Sequence, residues 1–160
     1  MTTPSPSFTI RPAALSDAAS LAALRGALFR ELGHGPPEGD GGAFEDFAGR
    51  AFRDELGRES CFAWLAETAG GEPVGSVALL VFPRLPSPQL SSRLEGYLLS
   101  VFTEPGWRGR GVATALVAAA VARARDLGLA RIRLHATPQG RSVYAAAGFA
   151  PRADEMELRW

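Results

Sequence analysis

The stretch from Thr103 to Leu116, TEPGWRGRGVATAL, constrains the fold more than any other part of this chain. An apolar, strand-like run, GYLLSVFT (96–103), leads into it, and an unbroken helical run leads out. Between them Gly106, Gly109 and Gly111 are interleaved with Trp107, Arg108 and Arg110. Glycines strip side chains from the backbone just where a helix begins, and helix N-termini carry unpaired N–H groups and partial positive charge. Strand, glycine turn and helix in that order make either a tight turn with two solvated arginines or an anion site.

The flanking patterns supply the remaining elements. Residues 8–11 read as a short strand. Ser16 or Asp17 is a good N-cap for a helix in which Leu21, Leu24, Leu28 and Leu32 recur at helical spacing up to Gly33. The segment 33–42, GHGPPEGDGG, holds no regular structure. A second helix follows with Phe44, Phe47, Ala51 and Phe52 on one face, ending near Gly57. CFAWLAE (61–67) and VGSVALLVF (74–82) form an antiparallel hairpin across a glycine turn. Residues 83–94 are a loop by their prolines and serines. The helix at 112–127 carries Val112, Leu116, Ala120, Ala124 and Leu127 on one face and stops at Gly128. ARIRLHA (130–136) alternates like a strand, Thr137-Pro138 starts a helix running to about Ala147, and MELRW is expected to be a last short strand. Antiparallel strands first and a strand–helix–strand crossover later predict an α/β fold: one mixed sheet with helices on both faces.

A length of 160 residues fits one domain, expected over 8–160 behind a loose tail at 1–7. Net charge is zero, which argues against a general nucleic-acid binder. Every Lys/Arg position is arginine, with abundant Ala, Gly and Pro, the mark of a GC-rich genome, and a bacterial source is expected. No run reaches the length a membrane helix needs, and MTTPSPS lacks the basic start and apolar core of an export signal. A cytoplasmic monomer or homodimer is expected. Cys61 is the single cysteine, which excludes an internal disulfide and a thiol-rich metal site; no metal is expected.

Two nucleotide readings of the glycine turn fail. A P-loop needs a lysine that this chain lacks. A dinucleotide fingerprint needs a third glycine where Thr114 stands, and the next strand offers Arg131 and Arg133 in place of an acidic ribose partner.

The third reading is specific. Arg108-x-x-Gly111-x-Ala113 at a strand-to-helix junction resembles the R/Q-x-x-G-x-G/A pyrophosphate motif of the GNAT superfamily of N-acetyltransferases. VYAAAGF (143–149) resembles the family's later motif, a helix ending Leu-Tyr-x-x-x-Gly-Phe. The element order matches from Phe8 onward. The resemblance implies the GNAT fold, a single mixed, mostly antiparallel sheet in which the parallel fourth and fifth strands splay apart. It implies acetyl-CoA as co-substrate, with its pyrophosphate on the backbone of Arg108, Gly109, Arg110, Gly111, Val112, Ala113 and Thr114. Pantetheine is then expected beside Val101, Phe102 and Thr103.

The resemblance also places Tyr144 as the acid facing the departing sulfur. A base must take the proton of the attacking ammonium. Glu95 is the candidate, sharing a face with Tyr97, Leu99, Val101 and Thr103 by two-residue alternation. His135, at the end of the fifth strand, is its rival, and water is the third choice. Thr137 stands where the family often has asparagine, and Gly140 where it usually has alanine. Cys61, in an apolar strand, reads as structural, while Glu38 and Asp40 hint at a cationic acceptor. The expected activity is direct acetyl transfer, in a ternary complex, to a primary amine of a small-molecule or peptide acceptor. The alternatives are a CoA-binding sensor domain without turnover and a protein-binding module built on the Pro/Gly loops.

Overall fold

A computed structural model of the chain describes residues 7–40 and 42–160. The tail expected over 1–7 therefore lies, Ser7 apart, outside the described residues. In chain order the elements are β1 (Phe8–Pro12), α1 (Ala18–Glu31), α2 (Ala43–Gly57), β2 (Cys61–Thr68), β3 (Pro73–Pro83), β4 (Leu94–Thr103), α3 (Val112–Asp126), β5 (Ile132–Arg133) and α4 (Arg141–Ala146). The sheet runs β1-β2-β3-β4-β5; the first four strands pair antiparallel and β4–β5 is parallel. No helix among the described residues is long and apolar enough to cross a membrane.

Period-two alternation divides the side chains between two cores. On one face Cys61, Ala63 and Leu65 of β2 pack with Leu21 and Leu24 of α1 and with Ala48 and Phe52 of α2. On the other, Trp64 and Ala66 pack with Val77, Leu79, Leu98 and the α3 stripe Val112, Leu116, Ala120 and Ala124. Leu79, Leu116 and Val117 are fully buried, each worth about 1.5–3 kcal/mol relative to exposure.

β4 is interrupted. Ser76 pairs with Phe102 and Ala78 with Leu99, so Ser100 and Val101 stand opposite the single residue Val77. Ser100 adopts φ +53°, the left-handed region, as a bulge requires. Its carbonyl accepts a bond from Ser76 Oγ at 3.0 Å, and its Oγ accepts one from Arg25 Nη1 at 2.7 Å. The extra residue shifts the alternation, so Leu99 and Phe102 pack on the α1/α2 side while Leu98 and Val101 pack on the α3 side. The common face expected for Glu95 through Thr103 therefore breaks at Ser100.

Other expectations are corrected locally. The buried side of α2 is Ala48, Gly49 and Phe52; Phe47 and Ala51 face solvent, because α1 packs one position round the helix. Only Ile132 and Arg133 of the expected 130–136 strand are paired. α4 begins a turn later than Thr137. Pro138 donates no N–H, Gly140 is a poor helix former, and the Gly140 N–H closes a turn on the Thr137 carbonyl at 3.0 Å. MELRW forms no strand: Met156, Leu158 and Trp160 are exposed and nothing pairs with their backbone among the described residues.

The entry to α1 is held by charge. Arg11 of β1 forks onto Asp17 at 2.8 and 2.9 Å and reaches Glu67 at 2.6 Å, while Asp17 also accepts the Ala14 N–H at 2.7 Å. Hydrogen bonding to Arg11 holds the Asp17 carboxyl below its usual 3.8. A lowered folded-state pKa contributes stability that is complete above 3.8 and fades as pH falls through the folded value. Asp17→Asn should cost about 1 kcal/mol at neutral pH, since Arg11 is partly solvated. It should also flatten the acid limb of the stability curve below pH 4, read by urea unfolding as a function of pH.

Candidate active site

β4 and β5 pair only at Gly96–Ile132 and Tyr97–Arg133. Past that point a cleft of about 320 Å³ opens between the end of β4 and the start of α4. Crevices at the carboxyl ends of parallel strands are where open α/β sheets bind ligands. One wall is Val101, Phe102 and Thr103 of β4, continued by Arg108, Gly109 and Gly111 and by Val112, Ala113 and Thr114 of α3. Leu28 and Glu31 of α1, with Leu32 just after it, close one side, and Thr137, Gly140, Val143 and Tyr144 the other.

The glycine turn exposes backbone to this cleft. Gly109 and Gly111 have φ of +73° and +82°, and a Cβ built on either meets no atom within 4 Å. Backbone conformation, and not crowding by the protein, therefore demands glycine here. The first helical bond of α3 is Ala115 N–H to the Gly111 carbonyl at 3.0 Å. Among the described residues, the six N–H groups of residues 109–114 have no intramolecular acceptor. Arg108 fastens the turn: Nε donates to the Thr103 carbonyl at 3.0 Å, Nη2 pairs with Glu31 at 2.5 Å, and the guanidinium lies over the Phe102 ring. Arg110 contributes its N–H to this run, but its side chain leaves the cleft and stacks on Trp107, 5.0 Å from the ring centroid.

Tyr144 faces the turn from α4. It is half-buried, packs edge-on against Phe149, and burial pushes its phenol above the usual tyrosine value. Its ring lies on Gly140, where a Cβ would come within 2.8 Å of Cε2. That contact is the physical reason for glycine in place of alanine one turn earlier. Thr103 Oγ1, opposite, is buried and has no hydrogen-bond partner, an unusual cost for a native hydroxyl unless something else bonds it.

The structure does not bring Glu95 or His135 into this cleft. Glu95 is 2% exposed, at the far end of β4. There Arg84 and Arg131 reach its Oε2 at 3.2 Å each, and Arg133 its Oε1 at 2.6 Å. His135 contacts the Tyr97 hydroxyl and lines a separate cavity beside Phe149 and Arg152. Cys61 is buried in the α1/α2 core, its thiol pushed up to about 12 by burial, so it offers no thiolate. Asp40 accepts the N–H groups of Gly42 and Phe44 at the start of α2, at 3.0 and 3.1 Å.

Residues 27–149 match the model of the acetyltransferase (GNAT) family. The chain belongs to that family. The GNAT fold is seen in a Ralstonia eutropha GCN5-related N-acetyltransferase, 30% identical with a TM-score of 0.82, covering 96% of this chain and 99% of the other. A Clostridium acetobutylicum protein described as a predicted acetyltransferase, solved with acetyl-CoA, is 25% identical with a TM-score of 0.84 and 96% coverage of each chain. An aminoglycoside N-acetyltransferase in complex with CoA shares the fold at 19% identity, with a TM-score of 0.76 over 100% of this chain and 99% of the other. No curated protein sequence matches the chain.

No individual residue of the first helix was placed on this GNAT cleft from the sequence, although Leu28, Glu31 and Leu32 line it. Leu28 and Leu32 continue the apolar stripe of Leu21 and Leu24 beyond the core, and that overrun was the available signal. Breaking a buried ion pair by removing one partner costs about 3–5 kcal/mol. Glu95→Gln leaves Arg133 its pair with Glu155 and leaves Arg131 and Arg133 partly solvated, so it should destabilise the protein by less, about 1–2 kcal/mol in urea unfolding. Acetyl-CoA affinity measured by calorimetry should not change, because the residue lies outside the cleft.

Proposed function

We propose that this protein is an acetyl-CoA-dependent N-acetyltransferase that transfers acetyl directly to a primary amine within a ternary complex. The observation that carries this reading is the run of six unpaired N–H groups at residues 109–114, opening on a cleft that Tyr144 faces from the other side. The residues present fit the co-substrate. Consecutive N–H groups and the α3 dipole receive the pyrophosphate, and each such charge-assisted bond is stronger than a neutral one. The unpartnered Thr103 Oγ1 and the backbone of Val101 and Phe102 accompany the pantetheine arm.

Bound acetyl-CoA supplies an activated thioester whose C–S bond breaks as the C–N bond to the amine forms. Tyr144 holds a proton on Oη for the departing sulfur, and burial keeps that phenol protonated at neutral pH. Among the described residues Glu31 is the one carboxylate on the cleft wall, no imidazole lines it, and Glu31 is tied to Arg108. The amine therefore loses its proton to water. The burial of Cys61 supports direct transfer over an acyl-cysteine route.

Gly111→Glu places a Cβ and a negative charge where the phosphates sit. It should abolish acetyl-CoA binding by calorimetry while thermal unfolding still reports a folded domain; unchanged affinity would overturn the co-substrate assignment. Tyr144→Phe keeps the ring packing and removes the proton donor. It should retain acetyl-CoA affinity and slow turnover by about 10²–10⁴-fold, followed as thiol release with a panel of amines. Turnover at the wild-type rate would remove Tyr144 from the mechanism.

A further inference from the structure

Among the described residues several arginines near the cleft and the sheet reach no carboxylate: Arg110 stacks on Trp107, Arg123 on Phe62 and Arg25 on Phe29. Among the arginines beside or below the sheet, Arg11, Arg84, Arg108, Arg131 and Arg133 each reach a carboxylate. Arg25 of α1 does not: among the described residues no carboxylate lies within 4.0 Å of it, and its one hydrogen bond to protein is Nη1 to Ser100 Oγ at 2.7 Å. The guanidinium is half-buried on the Phe29 ring, 4.7 Å from its centroid, and Phe44 of α2 closes edge-on against Phe29. Burial lowers its pKa, with no opposing contribution from an acid. A guanidinium carries five N–H donors in a planar fork matched to oxyanions, so most of this one's donors have no protein acceptor. Withdrawing a charge from water without a counter-charge costs free energy that an anionic ligand recovers.

Its position sets what that ligand is. Arg25 precedes Leu28 by three residues and Leu32 by seven, which puts it on the face of α1 that lines the cleft, one turn further in, about 4.5 Å along the axis. Ser100 immediately precedes Val101, where the β4 wall of the cleft begins. The Arg25–Ser100 contact thus lies just beyond the lining residues Leu28 and Val101, on the side away from the glycine turn. The acids that hinted at a cationic acceptor do not compete. Asp40 is occupied by the N–H groups of Gly42 and Phe44, and Glu38 is exposed and is not on the cleft wall.

We propose that Arg25 is the acceptor-binding residue, and that the amine acetylated carries an oxyanion, a carboxylate or a phosphate, seated on its free N–H groups. This rests on the acetyltransferase reading above and names the class of its second substrate. A cationic polyamine or aminoglycoside is disfavoured by a permanent positive charge at that end of the cleft.

The test uses matched pairs of amines: amino acids against their carboxamides, and hexosamine phosphates against the parent hexosamines. The wild-type protein should favour the anionic member by at least about 10-fold in kcat/KM, the minimum for a charge-assisted bond. Which pair shows the preference separates carboxylate from phosphate. Arg25→Gln should erase the preference, Arg25→Lys should keep part of it, and both should bind acetyl-CoA as wild type does by calorimetry. Ser100→Gly, which suits φ +53° and removes only the hydroxyl, should keep the preference; its loss there would reduce Arg25 to a brace for the bulge. A preference for neutral or cationic amines, an undiminished preference in Arg25→Gln, or no turnover of any anionic amine would overturn the proposal while leaving acetyl-CoA binding intact. Failure of the wild-type protein to bind acetyl-CoA would overturn the acetyltransferase reading with it.

Discussion

Ser100 sits in the middle of the sheet with a left-handed backbone, and the layout of the cleft depends on that one residue. An L-residue there is held against its preference, at an order of 1–2 kcal/mol. Two hydrogen bonds hold it, from Ser76 on the neighbouring strand and from Arg25 on the helix above. Were Ser100 extended like its neighbours, Leu99 and Val101 would share a face and β4 would continue as regular strand. With Ser100 left-handed, Phe102 turns into the α1/α2 core and Val101 to the opposite side. The last three residues of β4 become a wall of the cleft while Phe102 and Thr103 stay paired with β3.

The second half of the opening comes from what β5 does not do. It matches β4 over two residue pairs and then stops, so beyond Tyr97 the backbone of β4 has one neighbour instead of two. Glu95 accounts for the pairing that remains. By gathering Arg84 from the loop after β3 and Arg131 and Arg133 from beside and within β5, it pins the two strands together at their closed end. The strands are thus clamped at one end, and free of each other at the other. A residue that resembled a base from its strand position serves as the hinge pin of the site, at the opposite end of β4.

What was legible in the sequence was what the local backbone demands. Gly109 and Gly111 announce positive φ before a helix, Gly128 ends that helix, and Tyr144-x-x-x-Gly148-Phe149 carries the later motif; none of these depends on distant packing. Elements with strong period were legible too, as Leu116, Ala120 and Ala124 on α3 illustrate. The bulge was not, because an all-apolar strand such as GYLLSVFT reads the same with or without an inserted residue. The α2 face was missed because Phe44, Phe47 and Phe52 offer two apolar stripes, and the packing of α1 chooses between them. The short β5 was missed because alternation reports amphipathicity, while pairing depends on the neighbour's path. Arg25 was not singled out, because its contact with Ser100 joins residues far apart in the sequence.

The distribution of charge around the cleft also resolves how a chain without lysine can offer an anion site at all. Arg108, the one cation on the glycine turn that lines the cleft, already spends its charge on Glu31 and its Nε on the Thr103 carbonyl. Its net contribution to an incoming phosphate is therefore small, and its work is to hold the turn against β4 and α1. Attraction then falls to the N–H groups of residues 109–114 and the α3 dipole, which act at contact range and fall off within the first turn. Such a site is indifferent to which cation a genome favours, since no side chain supplies it. It is intolerant of any Cβ on the two glycines, since each would stand where the ligand must come closest. Arg25, which reaches no carboxylate among the described residues, lies beyond the other end of the cleft. In the function proposed above, backbone N–H groups serve one anion and the Arg25 side chain serves the substrate that approaches from the opposite side.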